Sequence, residues 1–322
     1  MVMSVNLGAL NLVKEIISKK EYLGIEVEKA ENESTLIDLG IKTKGGFMAG
    51  KFATEVCMGG FGESNLSFYD HQDLHLPKIY VSTNYPAISL LGSQFAGWRI
   101  SVGKYFAMGS GPARALPLKP KELYKKINYK DSSDSAVIIL ETSEMPPVDA
   151  LDYISKECNV SPDKLYVLLT PTSSIAGSTQ ISGRIVETGM HKLVELGLDP
   201  SKFLYGCGQA PIAPLHPKAT KAMGRTNDMI MYGGEAFFVI NYDDEKELIE
   251  LITKAPSSSS SAYGKPFYDI FKEANFDFYK IDPALFAPAL ITVNNVQTGK
   301  SFSAGKINTE IVKESIGLQV IN

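Results

Sequence analysis

Residues 165–196 read LYVLLTPTSSIAGSTQISGRIVETGMHKLVEL. An apolar run comes first, then a loop of proline, serine and threonine, then a pattern with the period of a helix. The run at 165–170 has the length and near-continuous hydrophobicity of a strand buried on both faces. At helical periodicity Ile185, Val186, Gly189, Leu193 and Leu196 share one side, and Gln180, Arg184, Glu187, Thr188 and His191 share the other. The segment therefore predicts strand, loop and helix, with one apolar and one polar face on the helix. Arg184 and Glu187 stand three residues apart and can touch, although a solvated ion pair on an exposed helix would read the same way. Gly177, Ser178, Ser182 and Gly183 are small enough to admit another backbone or a ligand.

Outward from this segment the two periods alternate. Residues 135–140 and 165–170 predict buried strands on either side of a helix at 148–158, and 237–241, 290–294 and 300–304 add strands, with a polar helix at 244–253. Toward the N-terminus, Leu7, Leu10, Val13, Ile16 and Ile17 fall at helical spacing within 6–22. Residues 26–41 predict two strands about a turn at 31–33. The glycine-dense stretch 45–62 predicts a strand between glycine turns, 79–83 a strand, and 87–97 a helix ending at glycine. The serine tract in APSSSSSAYGKP (255–266) predicts a mobile loop or linker. At 322 residues the chain exceeds what one core usually supports. The charged stretch KKINYKDSSD (125–134) is the expected boundary. The expected fold is α+β, mixed α/β, with domains at 1–128 and 129–322, an active-site cleft between them, and the Arg184–Glu187 helix in the second.

Composition narrows the function classes. With 44% hydrophobic and 21% charged residues the chain can bury sizeable cores, and a net charge of -4 without a basic tract speaks against nucleic acid as partner. Asn6, Asn11, Lys14 and Glu15 interrupt the N-terminal apolar residues, so neither a signal-peptide core nor a membrane span is expected and the cytoplasm is the expected compartment. Three widely spaced cysteines, Cys57, Cys158 and Cys207, suit reduced thiols better than a disulfide framework or zinc cage. His71 and His75 lack the glutamate of a zincin motif and read as a polar surface segment, so no metal site is expected.

Only four of the 32 basic residues are arginine: Arg99, Arg114, Arg184 and Arg225. Where lysine fills the general surface role, a retained arginine points to a need for its planar fork. YFAMGSGPARAL (105–116) sets Ser110 and Gly111 before a proline-started turn bearing Arg114, which reads either as an anion cradle or as a glycine turn with a structural arginine. GRTNDMIMYGG (224–234) places Arg225 near Asp228, compatible with ligand recognition or a capped turn.

These blocks, together with GGFMAGKFATEVCMGG (45–60), GQAPIAP (208–214), YGKPFYDIF (263–271), FYKIDPALFAPA (278–289) and ISGRIVETG (181–189), resemble the methenyltetrahydromethanopterin cyclohydrolases over residues 5–317. The resemblance implies a cytosolic homo-oligomer, trimeric in the best-known members, that acts on a cyclic amidine C–N bond. It interconverts a 5,10-methenyl pterin with its 5-formyl form, a one-carbon step between carbon dioxide and methane. It also implies that Arg184 and Glu187 are the catalytic pair. Arg114, Ser110, Gly111 and Arg225 are extrapolated as holders of the carrier's phosphate and carboxylates. The pterin is substrate, and no cofactor or metal is expected, because a methenyl carbon between two nitrogens is already cationic. Glu187 is expected to take a proton from the attacking water and return one to the departing nitrogen, with Arg184 orienting it. Two other readings stay open: a folate-type cyclohydrolase, for which the usual dinucleotide fingerprint is missing, and a non-catalytic pterin-binding protein.

Overall fold

The computed structural model describes residues 3–71 and 74–321. Its strands in chain order are β1 (Glu26–Lys29), β2 (Thr35–Asp38), β3 (Glu63–His71), β4 (Leu74–Thr83), β5 (Trp98–Val102) and β6 (Tyr105–Ser110). They continue with β7 (Ala136–Glu141), β8 (Leu165–Leu169), β9 (Phe203–Pro211), β10 (Glu235–Ile240), β11 (Leu290–Asn295) and β12 (Lys300–Gly305). The α-helices are α1 (Val5–Ser18), α2 (Lys20–Leu23), α3 (Phe47–Cys57), α4 (Lys121–Ile127), α5 (Val148–Cys158) and α6 (Ile175–Ser182). After them come α7 (Ile185–Glu195), α8 (Ala219–Met231), α9 (Glu245–Thr253), α10 (Phe267–Glu273) and α11 (Thr309–Ile316). The helix expected at 87–97 is a π-helix, Ala87–Gln94.

The chain divides into two units, one made of residues up to Ser64 with Tyr85–Gln180, the other of Asn65–Asn84 with the chain from Ile181 onward. The expected division at residue 128 falls inside the first unit. The charged stretch around it is bound rather than linking, because Asp131 accepts from the backbone and side-chain nitrogens of Asn6 at 2.9 and 2.8 Å, and the Tyr129 hydroxyl donates to Met3 O.

The first unit holds a mixed sheet in the order β1-β2-β8-β7-β6-β5, with β8 parallel to both β2 and β7. Alternate residues of β7 enter different cores: Val137 and Ile139 meet α1 and α3, while Ile138 and Leu140 meet α5. Both faces are covered, which is why these strands are apolar throughout. The inward stripe of α1 is Asn6, Ala9, Val13 and Ile16, and Leu7, expected to be buried, is 48% exposed. Buried Asn6 turns the stripe, because its side chain serves Asp131, Pro112 O and Val137 N. Residues 47–57 form a helix rather than the expected strand. A Cβ at Gly50 would stand 2.5 Å from Thr179 Cβ and 2.6 Å from Ala176 O, so this glycine serves close packing of α3 on α6 and not a turn.

The second unit holds the sheet β12-β11-β10-β9-β4-β3, in which β10 and β11 are parallel and β9 runs antiparallel to β10 and β4. The serine tract expected to be a mobile loop is tied down: Ser257 donates to Met231 O and Ser260 to Asp282 Oδ2. Among the described residues no helix is long and apolar enough to cross a membrane.

Candidate active site

The chain that begins at 175 is helical but broken once. Gly183 and Arg184 interrupt it, with Arg184 at φ -85 and ψ 2, and α7 starts at the next residue. The break puts Arg184 at the N-cap position of α7 and Glu187 in its first turn, where the exposed N–H groups and the helix dipole favour a carboxylate. Arg184 Nη1 stands 3.6 Å from Glu187 Oε2, and the side chains are only 9% and 7% exposed. A solvated surface pair would leave both ends in water. Here both charges are buried, an arrangement that costs desolvation and gains little stability over apolar packing.

The apolar side of α7 seats this pair firmly. Ile185, Val186, Gly189 and Leu193 are buried against β9 and β10. The sheet is glycine-lined there: a Cβ at Gly208 would lie 2.6 Å from Glu235 O and 3.1 Å from Val186 Cγ2, and one at Gly189 would lie 3.1 Å from the Phe238 ring. Small residues on both partners let the helix sit low on the sheet. At the start of the same stretch Ser182 Oγ donates to Pro211 O at 2.8 Å.

The other expected site residues are placed differently. Arg114 is wholly buried, donates through Nη1 and Nη2 to Leu91 O and Ser93 O at 3.2–3.3 Å, and lies over the rings of Phe95 and Tyr124. The Gly111 N–H donates to Ser93 O at 2.9 Å, and Ser110 Oγ sits 3.4 Å from Cys57 Sγ. The anion cradle expected at 110–114 is thus filled by the protein's own carbonyls. Arg225 likewise donates to Ser315 O, Pro214 O, Leu215 O and Ile316 O, yet it also lines a pocket. The structure brings Arg184 and Glu187 together and leaves Arg114 and Ser110 buried among bonds within the protein.

Several buried polar groups carry no distinctive sequence signal. Gln180 is wholly buried, and neither its Oε1 nor its Nε2 has a hydrogen-bond partner among the described residues. Burial lowers the pKa of Lys192, whose Nζ reaches Ala284 O. Burial pushes the Asp228 carboxyl up to about 7 against the opposing bonds from Ser315 Oγ and Phe267 N. Their helical positions look like those of any polar face. Among the described residues no group of three or more His, Cys, Asp or Glu is placed to hold a metal ion.

A family profile described as "MCH: Cyclohydrolase (MCH)" matches residues 4–316. A protein of Methanothermobacter marburgensis named methenyltetrahydromethanopterin cyclohydrolase is 48% identical over 318 residues, covering 98% of this chain and 99% of its own. Proteins of the same name from Methanococcus maripaludis and Methanocaldococcus jannaschii are 47% and 45% identical, each covering 98% of both chains.

Proposed function

This chain belongs to the methenyltetrahydromethanopterin cyclohydrolase family, and from that premise we propose that it hydrolyses 5,10-methenyl-tetrahydromethanopterin reversibly to the 5-formyl compound. The observation that carries the assignment of roles is the buried Arg184–Glu187 pair at the start of α7. Water adds to the amidinium carbon, and Glu187 takes the proton as the C–O bond forms. The bond from that carbon to N10 then breaks, the N10 electron pair accepts the proton held by Glu187, the added hydroxyl gives up its remaining proton to solvent as its C–O bond becomes a carbonyl, and the carbon stays on N5 as a formyl group. One cationic substrate and one water thus give a neutral formyl product and one proton. Arg184 holds the Glu187 carboxyl group in position for both transfers. The substrate carbon is electrophilic before it binds, so the step needs no Lewis acid.

The same reading makes the pterin the small-molecule partner, a homotrimer the assembly, and the cytoplasm the compartment, in one-carbon metabolism between carbon dioxide and methane. Reaction in ¹⁸O-labelled water tests the chemistry. The expected product carries the label in a formyl group on N5, and an unlabelled product, or a formyl group on N10, would refute the proposed step.

A further inference from the structure

A pocket of about 280 Å³ in the second unit is lined by His216, Lys221, Arg225, Tyr268, Asp269 and Glu314, none of which belongs to the Arg184–Glu187 pair. Lys221 and Arg225 are i and i+4 on α8 and share a face. Arg225 is locked in place by its four bonds to carbonyls, through Nε, Nη2 and twice through Nη1. A guanidinium has five N–H groups, so one on Nη2 is left over. His216 Nδ1 accepts from Lys218 N at 2.9 Å, which leaves Nε2 of the neutral ring as a donor.

Tyr268, on α10, forms an aromatic wall. Lys218 and Lys221 hold their Nζ atoms 5.4 and 5.3 Å from its ring centre, and Lys218 Nζ lies 3.1 Å from its hydroxyl. That hydrogen bond, with the charges of Lys218, Lys221 and Lys272, lowers the phenol's pKa, which marks a positive potential at this wall. Asp269 and Glu314 bring acceptors of opposite sign. A bare anion would meet the cations and be opposed by the two carboxylates. A molecule with both a phosphate and hydroxyl groups suits both sets, since hydroxyls donate to carboxylates as ribose does in dinucleotide sites.

We propose that this pocket binds a phosphorylated sugar or polyol, its phosphate on His216, Lys221 and Arg225 and its hydroxyls on Asp269 and Glu314. The ligand is either a free sugar phosphate or the far end of a long substrate held at Glu187. The second source rests on the function proposed above, whereas the pocket itself does not. A short stretch of chain connects the two places: Ser182 bonds Pro211 O, Arg225 bonds Pro214 O and Leu215 O, and four residues of chain span at most about 14 Å.

The test is calorimetric titration of the intact protein with ribose 5-phosphate, ribose and inorganic phosphate, repeated on Lys221→Gln combined with His216→Gln and separately on Asp269→Asn. Saturable binding of ribose 5-phosphate is expected, with ribose and phosphate weaker. The double variant should lose about tenfold or more in affinity, as expected for removal of charge-assisted hydrogen bonds, at an unchanged melting temperature. Asp269→Asn should narrow the preference for ribose 5-phosphate over phosphate. In the hydrolysis assay, a KM raised by the double variant at constant kcat identifies the substrate's far end, and an unchanged KM identifies a free ligand. No saturable binding of ribose 5-phosphate, or binding untouched by the double substitution, would overturn the proposal. Because the titration needs no turnover, it reads the pocket even if the proposed reaction fails.

Discussion

Buried charge decides what single substitutions do in this protein. Asp228 has a folded pKa of about 7, above its ordinary 3.8, because burial disfavours the carboxylate. The unfolded chain ionises across that interval while the folded chain holds its proton, so this residue's contribution to stability is complete below the lower value and lost as pH rises through the upper one. Thermal melts from about pH 4 to about pH 8 should therefore show Asp228→Asn gaining on the parent protein as pH rises, and a constant gap would contradict the raised pKa. Arg114→Met should destabilise by about 1–3 kcal/mol for each carbonyl left without a donor, with KM unchanged in the folded protein. A raised KM at an unchanged melting temperature would return Arg114 to the substrate site. The scarcity of arginine singled out residues that need a planar fork. It could not show what the fork meets, since a carbonyl of Leu91 and a phosphate of a ligand ask for the same donors. Arg184 and Glu187 were legible as a pair from spacing, but their burial was not, because it depends on what other segments lay over that side of α7.

Packing explains both the success and the failure at the level of elements. The runs at 136–141 and 165–169 read correctly as strands because a sheet covered on both faces demands continuous apolar sequence. The stretch 47–57 was misread because glycine near a strand-like run signals a turn, whereas Gly50 exists to let α3 approach α6. The same logic makes Gly208 a point of leverage for the Arg184–Glu187 pair. Gly208→Ala would push a methyl into Glu235 O and Val186, lifting the N-terminal end of α7. A loss of about 1–3 kcal/mol is expected, typical of overpacking, together with a lower kcat as the Arg184–Glu187 pair shifts. An alanine variant with parental melting and turnover would show that the seat of α7 is not this tight.

At the scale of the whole chain, the division into units escaped the sequence because it follows strand pairing and not composition. Residues 65–84 join the second unit since β4 pairs with β9, more than a hundred residues away, and no local pattern announces that partner. The family, by contrast, was legible in several long motifs taken in order, and the match over residues 4–316 agrees. The central claim is that a buried carboxylate at the start of α7 moves the protons of a methenyl hydrolysis. It is tested most directly by following the methenyl chromophore with purified protein and with Glu187→Gln, chelator present throughout. The parent protein should bleach the chromophore, and the variant, folded and melting normally, should do so about 10²- to 10⁴-fold more slowly. Near-parental bleaching by Glu187→Gln would contradict the account.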